Sequence, residues 1–219
     1  MTLRRLIICC DGTWNTPDRT DGGIGVPTNV VRMARAIPPV APDGTPQIVY
    51  YDQGVGTDNM INKYTGGAFG IGLSRNVRDA YLFLIHNYIE GDELYFFGFS
   101  RGAYTVRSTA GMIRKIGLLD KVEADRAMEA WRIYREHAGG PDSQRAIAFR
   151  EAFSRYPVRI RFLGVWDTVG ALGIPGAHMD VGGGHRDHRL ADAALIWIAD
   201  GARAAGLALN DAYMEQIAD

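Results

Sequence analysis

The chain has 219 residues, 47% of them hydrophobic and 22% charged, with a formal net charge of −1. That length suits one domain over residues 1–219, large enough to build its core without disulfides or metal, and the composition excludes a disordered or fibrous chain. Balanced charge gives no overall pull toward nucleic acid, so no partner of that class is expected.

The first element, "RLIICCDG", is a short apolar run ended by Asp and Gly, the pattern of a buried strand meeting a loop. It holds the only cysteines, Cys9 and Cys10. Adjacent side chains on a strand point to opposite faces, so the two read as reduced packing residues rather than as a disulfide. That usage fits the cytoplasm. The apolar stretch after Arg4 and Arg5 is too short for a signal-peptide core, and no run is long enough to span a membrane. A cytoplasmic location is therefore expected, with export by a signal-independent route left open.

A loop rich in Gly, Pro, Asp and Thr leads to "TNVVRMARAI", a short helix capped by Thr28 or Asn29. "PQIVYYDQGVGTD" supplies a second strand and a loop that again begins at an aspartate. Val77, Ala80, Tyr81, Leu84, Ile85 and Tyr88 recur at helical spacing and predict a helix over 73–89. "ELYFFGF" is the third strand, and "RGAYTVRSTAGMIRKIG" places Ala103, Val106, Ala110 and Ile113 on one helical face. Two further helical segments, "VEADRAMEAWRIYREH" and "DSQRAIAFREAFSRY", precede the fourth strand, "VRIRFLGVWD". The last long pattern, "RLADAALIWIADGARAAG", predicts a helix that buries Leu190, Ala194, Trp197 and Ile198. Strands separated by helices predict an α/β fold with a mainly parallel sheet covered by helices on both faces. In such sheets chemistry gathers outside the carboxyl ends of the strands. "DGTWN", "DQGVGTD", "SRG" and "DTVG" all fall there.

In "GFSRG", Gly98 and Gly102 bracket Ser100 directly after an apolar strand and before a helical pattern. This is the nucleophile-elbow arrangement, in which a turn too sharp for side chains at either glycine aims the serine oxygen outward. The turn also sets Ser100 at a helix N-terminus, where backbone donors favour developing negative charge. Arg101 is then expected to give its N–H to an oxyanion hole. The bland alternative is an ordinary strand-to-helix turn.

A serine hydroxyl needs a base, and the base an orienting acid. His86 sits inside an apolar helical pattern and His137 at the end of a charged helix, which leaves His178, His185 and His188 in "PGAHMDVGGGHRDHRL". That cluster contains metal-ligand residue types without a recognised zinc spacing, and reads as a glycine-rich loop. Asp167 ends the fourth strand, and the order Ser100, Asp167, His178 is that of an α/β-hydrolase triad. Asp180, two residues from His178, is the rival acid.

"RRLIICCDGTWN", "IVYYDQGVGTD", "LYFFGFSRGAYTVRS", "FLGVWDTVGALGIP" and "GAHMDVGGGH" together resemble, in order, the signatures of the α/β-hydrolase domain family DUF2235, which includes the Tle1-type phospholipase effectors of bacterial type VI secretion. The resemblance implies hydrolysis of carboxylic esters, with phospholipids as substrates in the effector branch, and no cofactor. It assigns the nucleophile to Ser100, the acid to Asp167 and the base to His178. It also assigns Asp11, Gly12 and Thr13 to a loop facing the nucleophile, where their backbone N–H groups would assist the oxyanion. A small-molecule or lipid ester is the implied partner, with peripheral contact to a membrane. One departure stands out: only 10 residues separate Asp167 from His178, where similar proteins insert a longer segment with the strand that delivers the histidine. Either the Gly-rich loop alone brings His178 to Ser100, or the chain is a trimmed hydrolase shell serving an interaction role.

Overall fold

The first strand, β1 (Arg5–Cys10), is buried along its whole length, and the rest of the molecule is arranged around it. The structure is a computed structural model and describes residues 3–12, 15–54, 66–136, 140–168 and 175–218. A small hairpin, β2 (Thr20–Asp21) with β3 (Ile24–Gly25), follows in the first loop. Helix α1 (Asn29–Ala36) then begins at Thr28, whose hydroxyl accepts from Val31 N–H and so satisfies an orphan donor of the first turn. Strand β4 (Gln47–Asp52), helix α2 (Gly66–Asn87), strand β5 (Glu93–Phe99) and helix α3 (Arg101–Ile116) come next. The segment after α3 holds β6 (Leu118–Leu119), α4 (Ala127–Arg135), α5 (Gln144–Phe153) and β7 (Ser154–Arg155), with β6 and β7 antiparallel. Strand β8 (Ile160–Trp166) and helices α6 (Pro175–Gly182), α7 (Arg189–Ala204) and α8 (Asp211–Ala218) complete the chain.

The main sheet has the order β4-β1-β5-β8, and every pair in it is parallel. Alternation along β1 splits the core in two. Leu6, Ile8 and Cys10 face the side covered by α2, α3, α4 and α5, whereas Ile7 and Cys9 face α1, α7 and α8. Cys9 and Cys10 are accordingly both free and buried. The sheet is the α/β arrangement that the strand-helix alternation predicts, with helices on both faces.

The chain leaves β1 toward β4 and then crosses to β5 on the other side of β1. This reversal opens a crevice at the carboxyl ends of β1 and β5, the usual ligand position in open parallel sheets. Gly12 lies just beyond β1 there, so close that a Cβ on it would sit 3.2 Å from the Ser100 Cβ.

Two parts differ from the sequence expectation. The segment holding His178 is not a loop: residues 175–182 form α6. On α7, Leu190 and Trp197 are 69% and 78% exposed, and the buried face is Ala191, Leu195, Ile198, Ala199 and Ala202. Apolar residues surround that helix on more than one side, so spacing alone does not choose the face. The sheet chooses it, because Ile198 must meet the small Gly164 of β8, and Gly201 must meet Phe162. His86 is exposed, and His137 lies outside the described residues.

Candidate active site

Ser100 connects β5 to α3 with no residue to spare. Its N–H donates to the Trp166 carbonyl at 3.1 Å, continuing the pairing with β8, and its own carbonyl accepts from Tyr104 N–H at 3.3 Å, starting the helix. Meeting both demands puts the backbone at φ 57°, ψ −117°, a conformation that non-glycine residues hold only when their surroundings impose it. The flanking glycines are part of that imposition. A Cβ on Gly98 would lie 2.5 Å from the Gly102 carbonyl oxygen, and one on Gly102 would overlap the Cys10 carbonyl. The Ser100 side chain does not cap α3, although Ser is among the best capping residues.

Asp167 follows β8 and also has a positive φ, 36°. Its Oδ2 is 2.5 Å from Nδ1 of His178 on α6. A carboxylate only accepts, so Nδ1 carries the proton and Nε2 is left as the basic nitrogen. The imidazole rests on Phe99, with ring centroids 4.5 Å apart and planes inclined by 31°. Phe99 immediately precedes Ser100, so the strand that carries the serine also supports the histidine. Gly182 permits this contact, since a Cβ there would overlap the Phe99 ring. Among the described residues no hydrogen bond joins Ser100 Oγ to His178, as is common before substrate tightens a site. Asp180 is exposed, and the carboxylate on the His178 ring is that of Asp167.

Arg101 is the first residue of α3, and partial burial pulls its guanidinium below the usual value. Asp11 and Gly12 differ from their expected role. Asp11 N–H donates to the Asp52 carbonyl at 2.8 Å, and Gly12 N–H donates to Asp11 Oδ1 at 2.7 Å, so neither N–H is turned to an oxyanion. The cause is the Asp11 carboxylate, 1% exposed and in need of donors. It gathers four: Gly12 N–H and Asn15 Nδ2 on Oδ1, and Thr28 Oγ1 (2.5 Å) and Tyr51 OH (2.9 Å) on Oδ2. Burial pushes this carboxyl up to about 6, against the downward pull of those donors. Thr13 lies outside the described residues.

The same network holds α6. Asn29 Nδ2 donates to the carbonyls of Val181 at 2.9 Å and Ala191 at 2.8 Å, tying the start of α1 to α6 and α7. Thr28 and Asn29 are legible as caps, but these partners lie more than 150 positions away in sequence, and no local pattern announces them. Phe99 and Tyr51 read only as strand residues. Among the described residues no three His, Cys, Asp or Glu converge on a point that would hold a metal ion.

Comparison with known proteins places the chain in a family. Residues 4–175 match the family described as "T6SS, Phospholipase effector Tle1-like, catalytic domain", a match that covers the serine and aspartate motifs and ends before His178. Among curated proteins, the uncharacterized protein YEL023C of Saccharomyces cerevisiae is 33% identical over 193 residues, covering 78% of this chain and 27% of the yeast protein. The chain thus spans about a quarter of that relative's length. No solved structure gives a significant match. The sheet, the elbow and a match over most of the chain lead to one placement: the chain belongs to the Tle1-like phospholipase effector catalytic domain family.

Proposed function

We propose that this chain is a serine hydrolase of carboxylic esters, with acyl lipids, phospholipids among them, as the substrate class. Family membership supports hydrolase chemistry in general. The observation that carries the finer reading is Ser100 in its constrained elbow, directly after Phe99, on whose ring rests the His178 imidazole held at Nδ1 by Asp167.

Ser100 Oγ attacks the ester carbonyl while His178 Nε2 takes its proton. The imidazolium, steadied by Asp167, returns that proton to the leaving alcohol, and the acyl group stays on Ser100. Water then attacks the acyl-enzyme with His178 again as base, releasing the acid and restoring the serine. This reading assigns the oxyanion to the first N–H groups of α3, with Arg101 foremost, and one such donor is worth about 3 kcal/mol in comparable sites. Thr13 N–H is the further donor this reading assigns from the first loop.

A fluorophosphonate probe should label the wild-type protein and leave Ser100→Ala unlabelled. Equal labelling of the two would rule out Ser100 as the nucleophile. Turnover of short acyl nitrophenyl esters against phospholipid vesicles then separates the substrate classes, and activity on short esters alone would rule out the phospholipase reading. The second reading, a hydrolase shell with an interaction role, is favoured by one observation, the missing Ser100–His178 hydrogen bond. It predicts no labelling at all.

A further inference from the structure

At the far end of α6 from Asp167 lies a cavity of about 240 Å³ lined by Val26 and Pro27 together with Arg32, His185, Arg186 and His188. None of these residues belongs to the Ser100, Asp167 and His178 group. The cavity is formed where the loop before α1, helix α1 itself and the α6–α7 connection meet, and an isolated bridge between Thr28 and Gly183 fastens these segments together.

The polar side chains of the wall are only half used. Arg32, 7% exposed, donates through Nη1 to Asp192 Oδ1 (2.5 Å) and Asn29 Oδ1 (3.2 Å). His188 Nδ1 meets the other Asp192 oxygen at 2.6 Å. Both oxygens of the Asp192 carboxylate are thereby engaged. Arg32 Nε and Nη2, and His188 Nε2, have no partner among the described residues. Arg186 spends Nε and Nη2 on the Asp21 carbonyl, at 3.2 and 2.7 Å, its Nε also lies 3.2 Å from the Asp21 carboxylate, and it keeps Nη1. His185 has no partner among the described residues. Helix α7, 16 residues long, starts at Arg189 beside the cavity, so its positive end adds to the same field.

Two guanidinium groups from separate elements, each with N–H donors to spare, suit an anion that accepts from several directions. A tetrahedral anion does so, whereas a planar carboxylate presents two oxygens in one plane. The apolar Val26 and Pro27 wall suits the carbon part of an ester of that anion. We propose that this cavity binds a phosphate group. Two sources share that chemistry, a phospholipid headgroup and a soluble phosphate. The headgroup source rests on the ester-hydrolase reading above; the soluble source does not.

The test is calorimetric titration of the full chain with inorganic phosphate at fixed ionic strength, repeated in the presence of a short-chain phosphatidylglycerol below its micelle concentration. Saturable binding is expected, weakened about tenfold by Arg186→Ala and by Arg32→Lys, since both remove a guanidinium fork. Arg186 is exposed and its loss spares the core, and Lys at position 32 keeps a cation for Asp192. Competition by the lipid assigns the headgroup, and its failure to compete assigns a soluble phosphate. Absence of binding by both ligands, or equal binding in wild type and both variants, overturns the proposal. Ser100→Ala should bind phosphate as wild type does. Phosphate binding without any ester turnover would therefore count against the hydrolase reading alone.

Discussion

Four donors surround the Asp11 carboxylate, and an amide in its place would turn an NH₂ group toward two of them. Asp11→Asn is therefore expected to destabilise the fold, with a donor facing donors, and to do so most at low pH; urea unfolding at pH 4 measures it, and an unchanged midpoint there would contradict it. The pH dependence has a definite sign. Burial raises the folded-state value to about 6 from 3.8, so folding favours the protonated form. The contribution is fully present below about 3.8 and is lost as pH rises through about 6. Its full size is on the order of 3 kcal/mol. The stability of wild type minus that of Asp11→Asn should accordingly shrink between pH 4 and pH 7, and a growing difference would refute the assignment. Asp167 presents the opposite case. Its side chain is 45% exposed, so Asp167→Asn should barely change stability. It should nonetheless cut kcat by roughly 10³–10⁴, because an amide donor at Nδ1 forces the proton onto Nε2.

Helix α6 puts His178 on the Phe99 ring only because residue 182 has no side chain. Gly182→Ala should push α6 off the ring, lowering ester turnover at least tenfold with a smaller fall in stability, since the helix end can shift while the sheet cannot. Full activity in that variant would mean that Phe99 does not set the position of His178. On α7, Leu195→Ala should cost about 2–5 kcal/mol as a buried truncation. Trp197→Ser should stay within about 0.5 kcal/mol, since that ring is 78% exposed. These elements also mark how far sequence reading reaches. The strands were legible because "LIICC" and "LYFF" leave a buried strand as the simple solution, and Ser100 because its glycines stand where the turn has no room. Helix α6 is not legible: "PGAHMDVGGG" carries four glycines and a proline, and what fixes it is Asn29 and the Phe99 ring, both remote in sequence. The buried face of α7 is not legible for the related reason that Gly164 and Phe162, not the helix's own period, choose which side is buried. For Asp11 and Gly12 the sequence names a loop but not the direction of its N–H groups, which turn to the Asp52 carbonyl and the Asp11 carboxylate.

At the scale of the whole molecule, the sheet both separates and joins two cores. Phe96 faces the side of α2 and α3, and its neighbour Phe97 faces α1 and α7; both are 0% exposed. Since β1 and β5 supply side chains to both cores, neither can be lost while the sheet survives, and the described domain should unfold in one transition. Phe96→Ala and Phe97→Ala should each cost about 3–5 kcal/mol, lower a single shared midpoint, and leave far-UV circular dichroism and tryptophan fluorescence coincident. Trp166 reports the second core and Trp131 packs against the first, so fluorescence samples both sides. The two thiols offer an independent check. Cys9 and Cys10 lie on opposite faces, are fully buried, and are pushed up in pKa by that burial. Modification by a disulfide reagent should therefore wait for global opening and proceed at one rate for both, accelerating in parallel in either phenylalanine variant. Unequal rates, with Phe97→Ala exposing Cys9 alone, would show that the α1, α7 and α8 layer opens by itself. The domain would then consist of two separable halves that share a sheet, rather than one cooperative unit.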